Sequence, residues 1–126
     1  MSSDIDNRWR AGARSVSGSA RSSGRIDFER VRAAALVNAE TIVRALLPEG
    51  LREGAEWVAR NPLRVDRRPG SFKVNLNSGK WSDFATGDRG GDLVSLAAFV
   101  ASLDQRAAAI GLADALGIDP FERGRP

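Results

Sequence analysis

Ser71-Phe72-Lys73-Val74-Asn75-Leu76-Asn77-Ser78-Gly79-Lys80-Trp81-Ser82-Asp83-Phe84-Ala85-Thr86 is the stretch that decides the fold. Its first half alternates with period two, so Phe72, Val74 and Leu76 share one face of a strand and Lys73 and Asn75 the other. Asn77-Ser78-Gly79-Lys80 has turn composition, and Gly79 is free to take a positive φ. From Trp81 the chain returns as a partner strand. The stretch therefore predicts a β-hairpin of residues 72–76 against 81–85.

Working outward, Glu56-Trp57-Val58-Ala59-Arg60 is a third short strand. Ahead of it, Asp27 has the character of an N-cap. Phe28, Val31, Ala35, Ala39, Ile42 and Leu46 then recur in steps of three and four, with Leu36 and Val43 beside them, which predicts one helix with a core-facing stripe. Pro48 and Gly50 end it. Downstream, Gly87-Asp88-Arg89-Gly90-Gly91 reads as a glycine-rich turn. Asp92 caps a helix through Leu93, Leu96, Ala97, Val100 and Leu103, and a second short helix spans about 104–116, with Gly117 as its stop and Pro120 beyond it. The expected fold is α+β: an N-terminal helix, a small antiparallel three-stranded sheet, and two C-terminal helices packed on it. The expected organisation is a disordered basic arm over 1–25, one domain over 26–118, and a flexible tail over 119–126. The arm is rich in Ser, Gly, Arg and Asp and has few large apolar groups to offset the entropy of ordering; Trp9 is its exception.

The chain of 126 residues fits one domain, and 42% hydrophobic with 28% charged residues is an ordinary globular composition. It has no Cys and no His, which removes disulfides, thiolate sites, the usual zinc ligands and the default general base. The net charge is +3 and the pI about 10.5, and Lys73 and Lys80 are the only lysines. Arginine favours planar, bidentate partners such as phosphates; an arginine-rich codon bias and a solvated surface would give the same composition. The first residues show no basic region followed by an apolar run, and no stretch nears the roughly 18 apolar residues of a membrane span. The expected location is cytoplasmic, away from membranes.

No nucleophile–base constellation is visible. Asp83, Asp88 and Asp92 form the one dense carboxylate group and could in principle hold a divalent metal, but the stronger reading makes Asp92 a helix cap, Asp88 a turn residue and Asp83 an exposed strand residue. The glycine-rich run lacks the Gly-Lys-Ser/Thr ending of a phosphate-binding loop. The expected cofactor is none, and the expected enzymatic role is none. What stands out is charge interleaved with aromatics. Arg60, Arg64, Arg67, Arg68, Lys73, Lys80 and Arg89 lie on or beside the strands, among Trp57, Phe72, Trp81 and Phe84. On a sheet face such a mixture contacts phosphates and stacks bases. The competing reading places Phe72, Trp81 and Phe84 in the core and pairs the arginines with Asp66, Asp83 and Asp88.

Asn61-Pro62-Leu63-Arg64, then Arg68-Pro69-Gly70-Ser71-Phe72-Lys73-Val74, then Trp81, then Gly90-Gly91-Asp92-Leu93, in that order, resembles the zinc-binding domain of bacterial DNA primases. It is more similar still to the N-terminal modules of phage and plasmid primase–helicases. That family's pattern is a Cys-Pro-x-His pair, a Pro-Ser-Phe strand start, a hairpin, a Cys-x-x-Cys pair, and Gly-Gly-Asp opening an apolar helix. The similarity covers roughly residues 27–117 and is sharpest from 57 to 103. Asn61 and Arg64 stand where the first Cys and the His would be. Phe84 and Gly87 stand near the second ligand pair, and Gly70 is inserted in the Pro-Ser-Phe motif. The resemblance thus implies a zinc-ribbon-like scaffold without zinc, its metal staple replaced by packing of Trp57, Trp81 and Phe84. It further implies single-stranded DNA as a partner, contact with a replication primase or helicase, and no catalytic residue in this module. The expected function is a non-catalytic, primase-like nucleic-acid-binding module in the replication of a phage, plasmid or other mobile element. The alternative is a protein-interaction module that docks on a replication primase or helicase without binding DNA.

Overall fold

A computed structural model of the chain describes residues 24–60 and 71–122. In those residues the class is α+β, with four helices and a five-stranded antiparallel sheet. Helix α1 spans Phe28–Val37 and α2 Ala39–Leu46. Strands β1 (Leu51–Glu53), β2 (Glu56–Ala59), β3 (Phe72–Asn75), β4 (Trp81–Asp83) and β5 (Arg89–Gly90) pair in sequence order as a meander. Helices α3 (Leu93–Ala101) and α4 (Gln105–Leu116) follow.

The hairpin forms in the expected place. Lys73 lies opposite Ser82 and Val74 opposite Trp81. Its turn is held by Asn75, whose Oδ1 accepts from the N–H groups of Asn77 (2.8 Å) and Ser78 (3.0 Å), while Gly79 takes φ +81°. Two strands go beyond the three expected. β1 is only three residues long and pairs with β2, Arg52 facing Trp57. β5 falls within the run expected to be a turn: Gly90 lies opposite Trp81 and Arg89 opposite Ser82. Gly90 is required there by close approach, since a Cβ would come within 2.4 Å of the Trp81 Nε1 and 2.3 Å of the Ser95 Oγ.

The single N-terminal helix expected over 28–46 is instead two helices, broken at Asn38 (φ −110°, ψ 31°). The Asn38 amide donates back to the Ala34 carbonyl at 2.9 Å, the local competition with backbone bonding that makes Asn a poor helix-interior residue. The two expected caps form, Asp27 accepting from Arg30 N–H and Asp92 from Ser95 N–H, and Asp104 caps the last helix in the same way by accepting from Ala107 N–H. Gly117 closes α4 in the left-handed region.

The alternation of each strand sends Trp57, Ala59, Phe72, Val74 and Trp81 to one face, where they are buried. The core there also contains Ile42, Leu93, Leu96, Ile110 and Leu112, all fully buried. Phe72, Trp81 and Phe99 form an aromatic cluster with ring centroids 4.9–5.9 Å apart. Trp57 donates its indole N–H to the Leu47 carbonyl at 2.9 Å, satisfying the end of α2. The expected tail from residue 119 is docked as far as it is described. Phe121 bridges Ile26, Asp27 N–H donates to the Pro120 carbonyl, and the Arg30 guanidinium donates to the carbonyls of Asp119 and Phe121. No single helix among the described residues is long and apolar enough to cross a membrane; α3 and α4 together have the composition but bend by 108°.

Candidate nucleic-acid interface

The helices cover one side of the sheet, and the other side presents its own residues. The registers place Leu51, Val58, Lys73, Ser82 and Arg89 in one row across the five strands on that outer side, with Glu53, Glu56 and Asn75 in the next row. A shallow depression of about 350 Å³ lies here, lined by Glu56, Lys73, Asn75, Lys80, Phe84 and Arg89 among others.

Phe84 was expected to help replace a metal staple in the core. It is instead 74% exposed, and the Lys73 Nζ stands 5.8 Å from its ring centroid. Asp83, expected on the surface, is 1% exposed. The two corrections are one fact: alternation from Trp81, which points inward, sends Ser82 and Phe84 outward and Asp83 inward. Once inside, the Asp83 carboxylate organises the turn that carries Phe84. Its Oδ1 accepts from Ala85 N–H at 2.8 Å, its backbone N–H donates to the Asp88 carbonyl, and its own carbonyl accepts from Gly87 N–H. Phe84 N–H donates to the Ser71 carbonyl, so the ring's backbone is tied to β3 as well.

Charge is divided between the two sides. On the helical side four arginines have a carboxylate: Arg30 with Asp27 (3.2 Å), Arg32 with Glu29 (2.6 Å) and Asp92 (3.7 Å), Arg44 and Arg52 with Glu40. The hydrogen bond to Glu29 raises the pKa of Arg32 above its ordinary value. On the outer side, Lys73, Lys80 and Arg89, together with Arg60 just past β2, enter no ion pair among the described residues. The competing reading pairs the arginines with Asp66, Asp83 and Asp88; Arg60 and Arg89 form no ion pair with Asp83 or Asp88, while Asp66, Arg64, Arg67 and Arg68 lie outside the described residues.

Of the seven cations singled out from the sequence, the fold therefore brings Lys73, Lys80 and Arg89 to one depression and leaves Arg60 exposed at the end of β2. Arg64, Arg67 and Arg68 lie outside the described residues, as do Trp9, most of the arm over 1–25, and residues 61–70 with the first part of the family-like motif. Sequence reasoning missed Phe84 as an exposed ring and Glu56 as a member of the site. Asp83, Asp88 and Asp92 do not form a metal cage. Among the described residues no three His, Cys, Asp or Glu side chains gather, and each of these three accepts local hydrogen bonds. Thermal unfolding is accordingly expected to be the same with and without a strong chelator; a large drop in the midpoint in chelator would reveal a structural ion. Comparison with protein-family models, with curated proteins and with solved structures finds no match for this chain.

Proposed function

We propose that the chain is a non-catalytic module that binds single-stranded nucleic acid on the outer face of its sheet. We further propose that it serves, as the resemblance to primase zinc-binding domains suggests, in the DNA replication of a phage, plasmid or other mobile element. The observation that carries the binding reading is the exposed Phe84 ring, fixed by a buried-carboxylate turn and flanked by cations that form no ion pair among the described residues. A base has a π-face that stacks on such a ring whatever its identity, and phosphates take the place of the missing counter-charges. A single strand leaves its bases free to do this; a duplex does not.

The cations of residues 61–70 enter the same reading. Arg64, Arg67 and Arg68 lie in the connection between β2 and β3, with Asp66 as the one acid among them. Each phosphate contact adds about 0.7 to the dependence of log affinity on log salt for a single strand. Replacing the three by Ala should reduce the slope by roughly 2. Fluorescence anisotropy of a labelled oligonucleotide over a salt series measures this. An unchanged slope removes the three arginines from the interface. Absence of binding by the wild type even at low salt removes the nucleic-acid reading, and docking on a replication primase or helicase takes its place.

A further inference from the structure

Glu56 is out of place in a surface built only to hold phosphates. It lines the same depression as Lys73, Lys80 and Arg89, and no ion pair among the described residues takes up its charge. A carboxylate is an acceptor only, and it repels a phosphate. Its cross-strand partner is Asn75. Both acceptor positions of the Asn75 carbonyl are used, by the N–H groups of Asn77 and Ser78, so what its amide has left to offer is the Nδ2 donor. Directly opposite residues on one face lie about 4.5–5.5 Å apart. The pair thus sets one charged acceptor beside one donor.

We infer that Glu56 and Asn75 read the Watson–Crick edge of a base bearing an exocyclic amino group, which rests on the nucleic-acid reading above. Cytosine and adenine each place an amino donor next to a ring-nitrogen acceptor, the complement of this pair. Thymine and uracil meet the pair only with the edge turned, N3–H to Glu56 and O4 to Asn75, which leaves their O2 carbonyl beside the Glu56 carboxylate, where the two acceptors repel. Carboxylates accept from the cytosine amino group in duplex recognition by the same chemistry. The order on the face fits a short strand. Phe84 takes one base, Lys73, whose ammonium stands over that ring, takes the phosphate, and Glu56 with Asn75 takes the edge of a neighbouring base.

The test is anisotropy with two short labelled oligonucleotides of equal length, one all cytosine and one all thymine, at slightly alkaline pH. They carry equal charge and differ where Glu56 is placed. The wild type should prefer cytosine by about fivefold, the lower end of what a specific base contact provides. Glu56→Thr, which keeps a strand-forming residue, and Glu56→Gln, which keeps the shape without the charge, should both bring the two affinities together. Both should also bind the thymine strand more tightly, with thermal midpoints near the wild type's. Equal wild-type affinities, or a preference that survives both substitutions, overturns the inference while leaving binding itself intact. No binding to either oligonucleotide at low salt overturns the underlying reading instead.

Discussion

Trp81→Ala is expected to cost about 3–5 kcal/mol of folding stability. The indole is 6% exposed and is the point where four elements meet. It stacks on Phe72 of β3 at 5.5 Å with the rings 13° apart, and packs on Phe99 of α3 at 4.9 Å. Its N–H donates to the Ser95 hydroxyl at 2.9 Å, and that hydroxyl donates in turn to the Asp92 carbonyl at the start of α3. Gly90 of β5 lies against the same ring with no room for a side chain. Truncation therefore removes transfer free energy, leaves a cavity beside Phe72, Phe99 and Gly90, and breaks a part-buried hydrogen bond. Chemical denaturation should show a lower midpoint with an unchanged slope. Trp81→Phe retains most of the packing and loses the hydrogen bond, so it should fall between wild type and Ala. A change below about 1 kcal/mol for Trp81→Ala would mean that the aromatic cluster does not hold this sheet to its helices.

The hairpin was legible because three independent signals agree there: period-two alternation, a turn of Asn, Ser and Gly, and a return strand starting with a large aromatic. The helix caps Asp27 and Asp92 were legible because each precedes an apolar periodic run. The outer strands were not. β1 is Leu51-Arg52-Glu53, too short to show a period, and β5 is Arg89-Gly90, whose glycine is the usual mark of a turn. Only the position of the Trp81 indole explains why a glycine must sit in a paired strand. The break at Asn38 was hidden because the apolar steps run through it, from Ala35 to Ala39 to Ile42, without interruption.

The misreading of Phe84 has a different origin. The sequence contained what was needed: Trp81 and Phe84 are three apart, so a regular strand cannot bury both. Hydrophobicity argued for placing Phe84 inside, and polarity for placing Asp83 outside. Strand parity outweighs both, because turning Phe84 inward would turn Trp81 and Asp83 outward together. The cost of burying a carboxylate is reduced by the hydrogen bond it accepts from Ala85 N–H in its own turn. The separation of cations by side was beyond sequence reading. It depends on which arginines meet Glu29, Glu40 and Asp92 in space.

Phe84→Ala should have the opposite profile to Trp81→Ala. The ring is mostly in solvent, so stability should change by no more than about 0.5 kcal/mol. Base stacking on an aromatic is worth about 1–3 kcal/mol per base, so affinity for a single strand should fall by roughly 5- to 150-fold. The salt slope should stay where it was, since no phosphate contact is removed. Phe84→Trp should bind at least as well as wild type. Unfolding and oligonucleotide anisotropy on the same samples separate the two effects. Loss of stability with unchanged affinity would return Phe84 to a packing role.

The claim that the open side of the sheet is the binding surface is tested most directly by backbone amide chemical shifts during titration with a short single-stranded oligonucleotide. The predicted result is perturbation of residues 71–75, 80–84 and 89–90, on β3, β4 and β5, with α4 (Gln105–Leu116) unmoved. Shifts confined to the helical side, or no shifts at all at low salt, would contradict it.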